Sequence, residues 1–322
     1  MQMSNYMRKN SKISVVIPCY RCAGFIAELH RRLVLSLEQI TNDFEIIFVN
    51  DASPEKDWQI IEALAGNDKR VTGINLSRNF GQHYAITAGL DYCTGDWIVV
   101  MDGDLQDKPE EIKKIFTKAS EGYEIVVGKR ENRKDSVLVR MTSKLFYLVF
   151  NYLTGQKFDN KVANFGIYSK RVIDHVRKLK EADRSFGLLV SLVGFSKSEI
   201  EVDHSPRTSG KSAYSFKSRV NLAFDHILSH SNKPLILSIQ TGFIISSLSL
   251  FYAFWLIIRY FISSHIADGW TSLMVSLFFL SGLIIMVTGM VGLYVGKIYN
   301  EVKNRPLYIV KEITKPNEKT AI

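Results

Sequence analysis

The sequence predicts an α/β architecture, a mostly parallel sheet with helices on both faces, followed by two C-terminal transmembrane helices. Two observations carry this prediction. Short apolar, β-branched runs alternate with helical patterns through the first hundred residues. Strands that apolar are buried on both faces, which calls for parallel pairing and helical crossovers. Two charge-free runs, Pro234 to Ile258 and Gly269 to Gly296, follow near the C-terminus. Each exceeds the roughly 20 residues a helix needs to cross a bilayer.

The elements follow in order. ISVVIP (13–18) is a strand closed by proline, and FIAELHRRLVLSLEQI (25–40) places apolar residues at helical spacing. EIIFVN (45–50) is a second strand. SPEKDWQIIEALAG (53–66) opens with Ser53 and Pro54 in the manner of an N-cap and first helical residue. VTGINLS (71–77) predicts a third strand, GQHYAITAGLDYC (81–93) a helix and DWIVVMD (96–102) a fourth strand. A helix over 109–120, with Asp107 and Pro109 at its start, leads to the strand YEIVVG (123–128). Two amphipathic stretches, 136–155 and 216–230, are candidates for the membrane surface, the first equally for a core helix. The expected organisation is an N-terminal tail (1–12), a catalytic-type domain (13–205), a juxtamembrane segment (206–233), the two spans (234–297) and a tail (298–322). In that tail, PLYIV (306–310) is a candidate edge strand that could pair between subunits of a homo-oligomer.

Charge sets the orientation. Lys211, Lys217, Arg219 and Lys233 precede the first apolar run, Lys297, Lys303, Arg305 and Lys311 follow the second, and the turn SSHIAD between them has neither Lys nor Arg. The positive-inside rule therefore puts both ends in the cytoplasm. The N-terminus lacks a signal-peptide apolar core. The net charge of +9 lies near the spans and in separate clusters, without an RNA-binding motif, so it predicts contact with anionic lipid and no nucleic-acid partner. Three cysteines, Cys19, Cys22 and Cys93, make no disulfide framework, and the C-x-x-C they contain has no second pair or nearby histidine for zinc.

Chemistry-bearing residues collect where the strands end. Pro18 and Tyr20 follow the first strand, Asn50, Asp51 and Ser53 the second, Ser77, Arg78 and Asn79 the third, and Asp102, Asp104 and Gln106 the fourth. In a parallel sheet all share one edge, where ligands bind. Asp102, Asp104 and the Gln106 amide oxygen suit Mg²⁺ or Mn²⁺, which favours oxygen ligands and keeps substrate phosphates in its shell. A D-x-D by itself fits a solvated loop as well; Asp51 and Arg78 on the same edge favour the metal. A P-loop would need glycine where Ser205 stands, and no G-x-G-x-x-G follows the first strand.

The ordered set VVIPCY (15–20), FVNDAS (48–53), LSRNFGQHYAITAGLDYCTGDWIVVMDGDLQDKPEEI (76–112), VVGKR (126–130), PRTSGKSAYSF (206–216) and SNKPL (231–235) resembles family 2 glycosyltransferases. Within them it is similar to the polyprenyl-phosphate group, typified by dolichyl-phosphate mannose synthase-like and bactoprenol glucosyltransferase-like enzymes. The resemblance implies a GT-A-type sheet, a UDP- or dTDP-sugar donor and undecaprenyl phosphate as acceptor. It implies inverting hexosyl transfer at the cytoplasmic face of a bacterial inner membrane, supplying a lipid-linked sugar for surface glycans. It also implies that Asp102, Asp104 and Gln106 hold the metal, with Asp104 among the catalytic residues. Pro18, Tyr20 and Asp51 are implied to cradle base and ribose, with Arg78 on the donor side. Arg130 is implied to touch phosphate, and Arg207, Ser212 and Tyr214 to reach the acceptor phosphate, with Arg207 or Lys211 screening its charge. Departures are plain: PCYRC lacks the usual glutamate, ANFGIYSK replaces a D-F-R-L-type segment, and LLVSLVGF lacks a preceding tryptophan. The sugar is therefore left open. A processive polysaccharide synthase would carry Q-x-x-R-W and more spans, and a non-catalytic nucleotide-binding scaffold would bind without turnover.

Overall fold

The computed structural model describes residues 11–130, 152–153, 162–203, 231, 233–262 and 269–314. Two compact units emerge, one of residues 1–134, 159–211 and 305–322, the other of 135–158 and 212–304.

The first unit is built on an eight-stranded sheet. Its strands are β1 (Ile13–Cys19), β2 (Phe44–Asn50), β3 (Val71–Leu76), β4 (Trp97–Val100), β5 (Ile125–Arg130), β6 (Val162–Ser169), β7 (Lys197–Val202) and β8 (Val310–Ile313). They lie in the order β7-β5-β6-β4-β1-β2-β3-β8. β1 pairs in parallel with β2 and β4, β2 with β3, and β5 with β7. β6 runs antiparallel between β4 and β5, and β8 antiparallel along β3. The sheet is thus mixed and mostly parallel. The C-terminal ends of β1 to β5 and β7 share one edge, and the strand order reverses direction about β1.

Alternation along the strands divides the core into two layers. Val15, Ile17, Ile46 and Phe48 face α1 (Ala23–Leu37), α2 (Asp57–Asn67) and α4 (Ile112–Ala119), meeting Ile26, Leu29, Leu33, Ile61, Ile115 and Phe116. Val16, Ile47, Val49 and Ile74 face α3 (Gln82–Tyr92), α5 (Lys170–Lys178) and α6 (Phe186–Leu192), meeting Ala85, Ile86, Ala88, Val172 and Leu189. On this second face Gly89 lets α3 settle against the sheet, since a Cβ there would stand 2.4 Å from Val16 Cγ1.

Local differences from the sequence reading have identifiable causes. α2 starts at Asp57, with Lys56 at its N-cap position and no side-chain cap. The Ser53 hydroxyl instead accepts from the Arg21 and Glu55 backbone N–H groups at 3.0 and 3.2 Å. The 3₁₀ turn Pro109–Glu111 that leads into α4 has Lys108 at its N-cap position, and Asp107 is buried. β4 ends at Val100, two residues before Asp102, because the chain turns away there. Of the candidate edge strand PLYIV only Val310 is in a strand; β8 (Val310–Ile313) starts there, pairs antiparallel with β3 of its own chain and forms the outermost strand on that side of the sheet.

The second unit contains α7 (Lys233–Ile262) and α8 (Trp270–Val302). Among the described residues one stretch, Ser276–Val302, is long and apolar enough to cross a membrane, and none of it is buried. The Tyr294 hydroxyl donates to the Ser231 carbonyl at 2.7 Å, and Lys233 Nζ lies 4.9 Å over the Tyr152 ring. Most of the amphipathic stretch 136–155 and all of 216–230 lie outside the described residues.

Candidate active site

The site is the edge where β1 to β5 end, and its backbone carries strain. Among the described residues, Arg21, Ala52, Leu105 and Asn304 are the non-glycine residues with positive φ, at 57°, 48°, 58° and 45°. The first three follow β1, β2 and β4. Left-handed backbone costs a side-chain-bearing residue about 1–2 kcal/mol and persists where the surroundings fix it, commonly at functional sites.

Each loop has its own fixing contacts. Pro18, expected after the first strand, lies buried within β1, while Tyr20 just beyond the strand is 45% exposed, with the Arg21 guanidinium 5.5 Å from its ring. An exposed aromatic ring at the end of a central strand can stack on a flat ligand. After β2, Asp51 is only 3% exposed. Its Oδ1 accepts from the Phe80 N–H at 2.7 Å and its Oδ2 from the Gly81 N–H at 2.8 Å. Burial pushes the Asp51 carboxyl up; these two N–H groups and the nearby Arg78 charge oppose the shift. Asp51 therefore joins the β2 loop to the start of α3. Arg78 is exposed, stacks 4.1 Å over the Phe80 ring, and donates to the Asn79 carbonyl at 3.3 Å.

The carboxylates after β4 sit on a turn closed by Leu105. Asp102 Oδ1 accepts from Gln82 Nε2 at 2.6 Å. Asp104 accepts from Gln106 twice, from Nε2 at 2.7 Å and from the backbone N–H at 3.2 Å. Carboxamide donors thus offset the crowded negative charge. Asp102, Asp104 and Gln106 are each half-buried, while Gly103 between them packs under the Pro18 carbonyl and Cys22 Sγ, which a Cβ would approach to 3.2 and 3.4 Å. Two carboxylates and a carboxamide oxygen fit a hard divalent cation and offer nothing to a soft one. Among the described residues no group of three or more His, Cys, Asp or Glu forms a metal site. Two acids and an amide leave most of an octahedral shell to waters and substrate oxygens, which is how Mg²⁺ and Mn²⁺ sit with phosphates.

Arg130 ends β5 at this same edge, in register with Val202 of β7; its side chain lies outside the described residues. Arg207, Lys211, Ser212 and Tyr214 also lie outside them. Sequence reasoning missed Gln82, although it adjoins the Arg78–Gly81 stretch that drew attention to this loop. It also missed the anchoring role of Asp51. The C-x-x-C is a packing feature: Cys19 and Cys22 are buried, and the Cys22 thiol is pushed far up by its hydrogen bond to Cys19, by burial and by buried Asp57. A thiol so disfavoured as thiolate is unreactive.

Residues 14–176 match the family model described as Glycosyl transferase family 2. The chain belongs to glycosyl transferase family 2. Full-length relatives agree. It is 34% identical to the undecaprenyl-phosphate 4-deoxy-4-formamido-L-arabinose transferase of Proteus mirabilis, over 98% of both chains. It is 34% identical to the bactoprenol glucosyl transferase of Shigella phage SfII, over 95% of this chain and 99% of that one. An uncharacterized glycosyltransferase of Bacillus subtilis, YkcC, is 35% identical over 95% of each chain. Among solved structures, a glucosyl-3-phosphoglycerate synthase from Mycobacterium tuberculosis superposes with a TM-score of 0.52 at 14% identity, covering 71% of this chain and 80% of that one. That likeness concerns the fold, and supports a GT-A-like sheet for this family 2 glycosyltransferase.

Proposed function

We propose that this family 2 glycosyltransferase moves a hexose from a UDP- or dTDP-linked donor to undecaprenyl phosphate at the cytoplasmic face of a bacterial inner membrane. The observation that carries the reading is the half-buried Asp102–Gln106 turn at the strand-end edge, beside exposed Tyr20 and Arg78. The relatives' printed acceptors, bactoprenol and undecaprenyl phosphate, support the lipid. Exposed Tyr20 presents a surface for the base, buried Pro18 fixes the end of β1 from which the ring projects, and Asp51 holds the loop after β2. Asp102, Asp104 and Gln106 would hold Mg²⁺ or Mn²⁺, which when bound neutralises charge developing on the leaving diphosphate.

The acceptor needs little activation. A phosphate monoester has a second pKa near 6 and is already a dianionic nucleophile at pH 7. Its charge must be screened as it nears the donor, a task suited to Arg130, Arg207 and Lys211, with Ser212 and Tyr214 as neutral donors. Attack from the face opposite the diphosphate inverts the anomeric centre. The domain limits given above, a second span at 234–258, cytoplasmic termini and homo-oligomeric assembly belong to the same proposal.

The test is incubation of membranes carrying the protein with undecaprenyl phosphate and a panel of nucleotide sugars, followed by mass spectrometry of the lipid. A monophosphate-linked hexose is expected, and Asp104→Asn should abolish it while the protein stays folded. A diphosphate-linked product, or full activity of Asp104→Asn in chelator, would overturn the reading.

A further inference from the structure

β8 follows α8 in the chain and returns to the edge of the catalytic sheet, where a row of polar side chains crosses three strands. Register places Cys19 of β1 beside Asn50 of β2, Asn50 beside Asn75 of β3, and Asn75 beside Glu312 of β8. Asn75 Nδ2 donates to Glu312 Oε1 at 2.6 Å, and Asn50 Nδ2 donates to Asn75 Oδ1 at 2.8 Å. Asn50 Oδ1 in turn accepts from the Ser53 N–H at 3.2 Å. The Ser53 hydroxyl then takes the Arg21 N–H, joining the β1 loop. Asn50 and Asn75 are 3% and 6% exposed, a position where apolar residues would otherwise pack. Buried carboxamides are tolerated when their hydrogen bonds are made. The β3–β8 register shifts between Asn75 and Leu76, an irregularity of the kind that re-aims side chains near sites.

We propose that Glu312 is a positioning residue for the donor-binding loop Asn50–Ser53, acting through Asn75 and Asn50. The loop includes Ala52 at φ 48°, a conformation that its surroundings must hold. Glu312 is a charged acceptor, so its bond to Asn75 is stronger than an amide–amide bond and fixes which way the Asn75 carboxamide points. That choice presents Asn75 Oδ1 to Asn50, and leaves Asn50 Oδ1 for Ser53. The segment after the membrane helix thereby completes the donor site, and a chain ending before residue 312 would leave Asn75 half-satisfied. The inference rests on the reading of this loop as the nucleotide site.

The test compares the full-length protein in detergent with Glu312→Ala and Glu312→Gln. UDP with Mn²⁺ is the probe, measured by calorimetry alongside donor KM, kcat and amide hydrogen exchange. Loss of one such hydrogen bond predicts about a five-fold rise in UDP Kd and donor KM for Glu312→Ala, with kcat within about two-fold. Exchange at the Ser53 amide should quicken. Glu312→Gln keeps an acceptor oxygen for Asn75 and should stay near the parent protein. Unchanged Kd and unchanged Ser53 exchange in Glu312→Ala would overturn the proposal, as would equal losses in both variants. If the parent protein binds no UDP, dTDP or GDP, the donor reading fails separately. Ser53 exchange in Glu312→Ala then still decides the relay, which stands if exchange quickens and falls if it does not.

Discussion

Gly89→Ala should destabilise the protein even though alanine is the better helix former. A Cβ at Gly89 would sit 2.4 Å from Val16 Cγ1 and 3.1 Å from Val49 Cγ2. Carbon atoms ordinarily pack at about 3.5–4.0 Å, so about 1 Å must be found. Val16 is fully buried in β1, which is paired on both sides, so the sheet cannot yield. α3 must lift instead. Alanine gains about 1 kcal/mol over glycine inside a helix, whereas overpacking a tight core costs about 1–3 kcal/mol. The net expectation is a loss of about 1 kcal/mol, or ~3 °C in apparent melting temperature. Function should suffer more than stability. A rigid lift of about 1 Å carries Gln82 beyond hydrogen-bond reach of Asp102, now 2.6 Å away. Gly66→Ala in α2 is the internal control, because a Cβ there meets nothing within 4 Å. It should raise the melting temperature by about 2 °C. Thermal scanning and sugar-transfer rates on both variants provide the assay. A Gly89→Ala protein as stable as Gly66→Ala, with an unchanged rate, would refute the packing argument.

Two further outcomes are expected. Asp51→Asn retains one acceptor for two N–H groups and loses a charge-assisted bond, so the loop between Arg78 and Gly81 should loosen. Relief of the buried charge offsets part of this, leaving a loss of about 1 kcal/mol and a raised donor KM, read by thermal shift and kinetics. Asp68→Asn tests a depressed carboxyl: the Arg70 hydrogen bonds hold Asp68 well below the usual carboxylate range, against its burial, with His30 assisting. The stability this contributes is present above pH ~4 and is lost as pH falls toward the depressed value. The parent protein should therefore exceed Asp68→Asn by about 1 kcal/mol at pH 7, allowing for a partly exposed Arg70, and by progressively less below pH ~4 in denaturant titrations.

The parts of this fold that local pattern dictates were legible. β1 to β4 are apolar runs bounded by polar turns, and their parallel order gathers Tyr20, Asp51, Arg78 and Asp102 at one edge. What escaped is long-range or competitive. β6 enters antiparallel between β4 and β5, a pairing that no local period records. PLYIV (306–310) reads as an edge strand, but β8 runs over Val310–Ile313, where its partner β3, far back in the chain, sets the pairing. Ser53 has the chemistry of a helix cap, yet the Arg21 N–H claims its hydroxyl. Signals for the polar row did exist, in the asparagines that close FVN and sit in VTGINL, both at the ends of otherwise apolar strands.

The crowding of carboxylates after β4 can now be argued physically. Like charges on one turn repel, and a purely structural loop would relieve this by pointing them into water. Here the turn is half-buried, held by left-handed Leu105 and by Gly103 packed beneath the Pro18 carbonyl, and each acid is met by a glutamine. Neutral carboxamides offset the charge only in part, and they are easily displaced by a stronger partner. A loop that holds two acids close while its backbone is fixed in left-handed geometry keeps both carboxylates on one turn at the strand-end edge. Two carboxylates held this way are the arrangement the proposed function needs for a hard cation that carries a diphosphate. On that reading, removing one acid should relax the loop while it removes a ligand, so Asp104→Asn is expected to lose activity and stay folded.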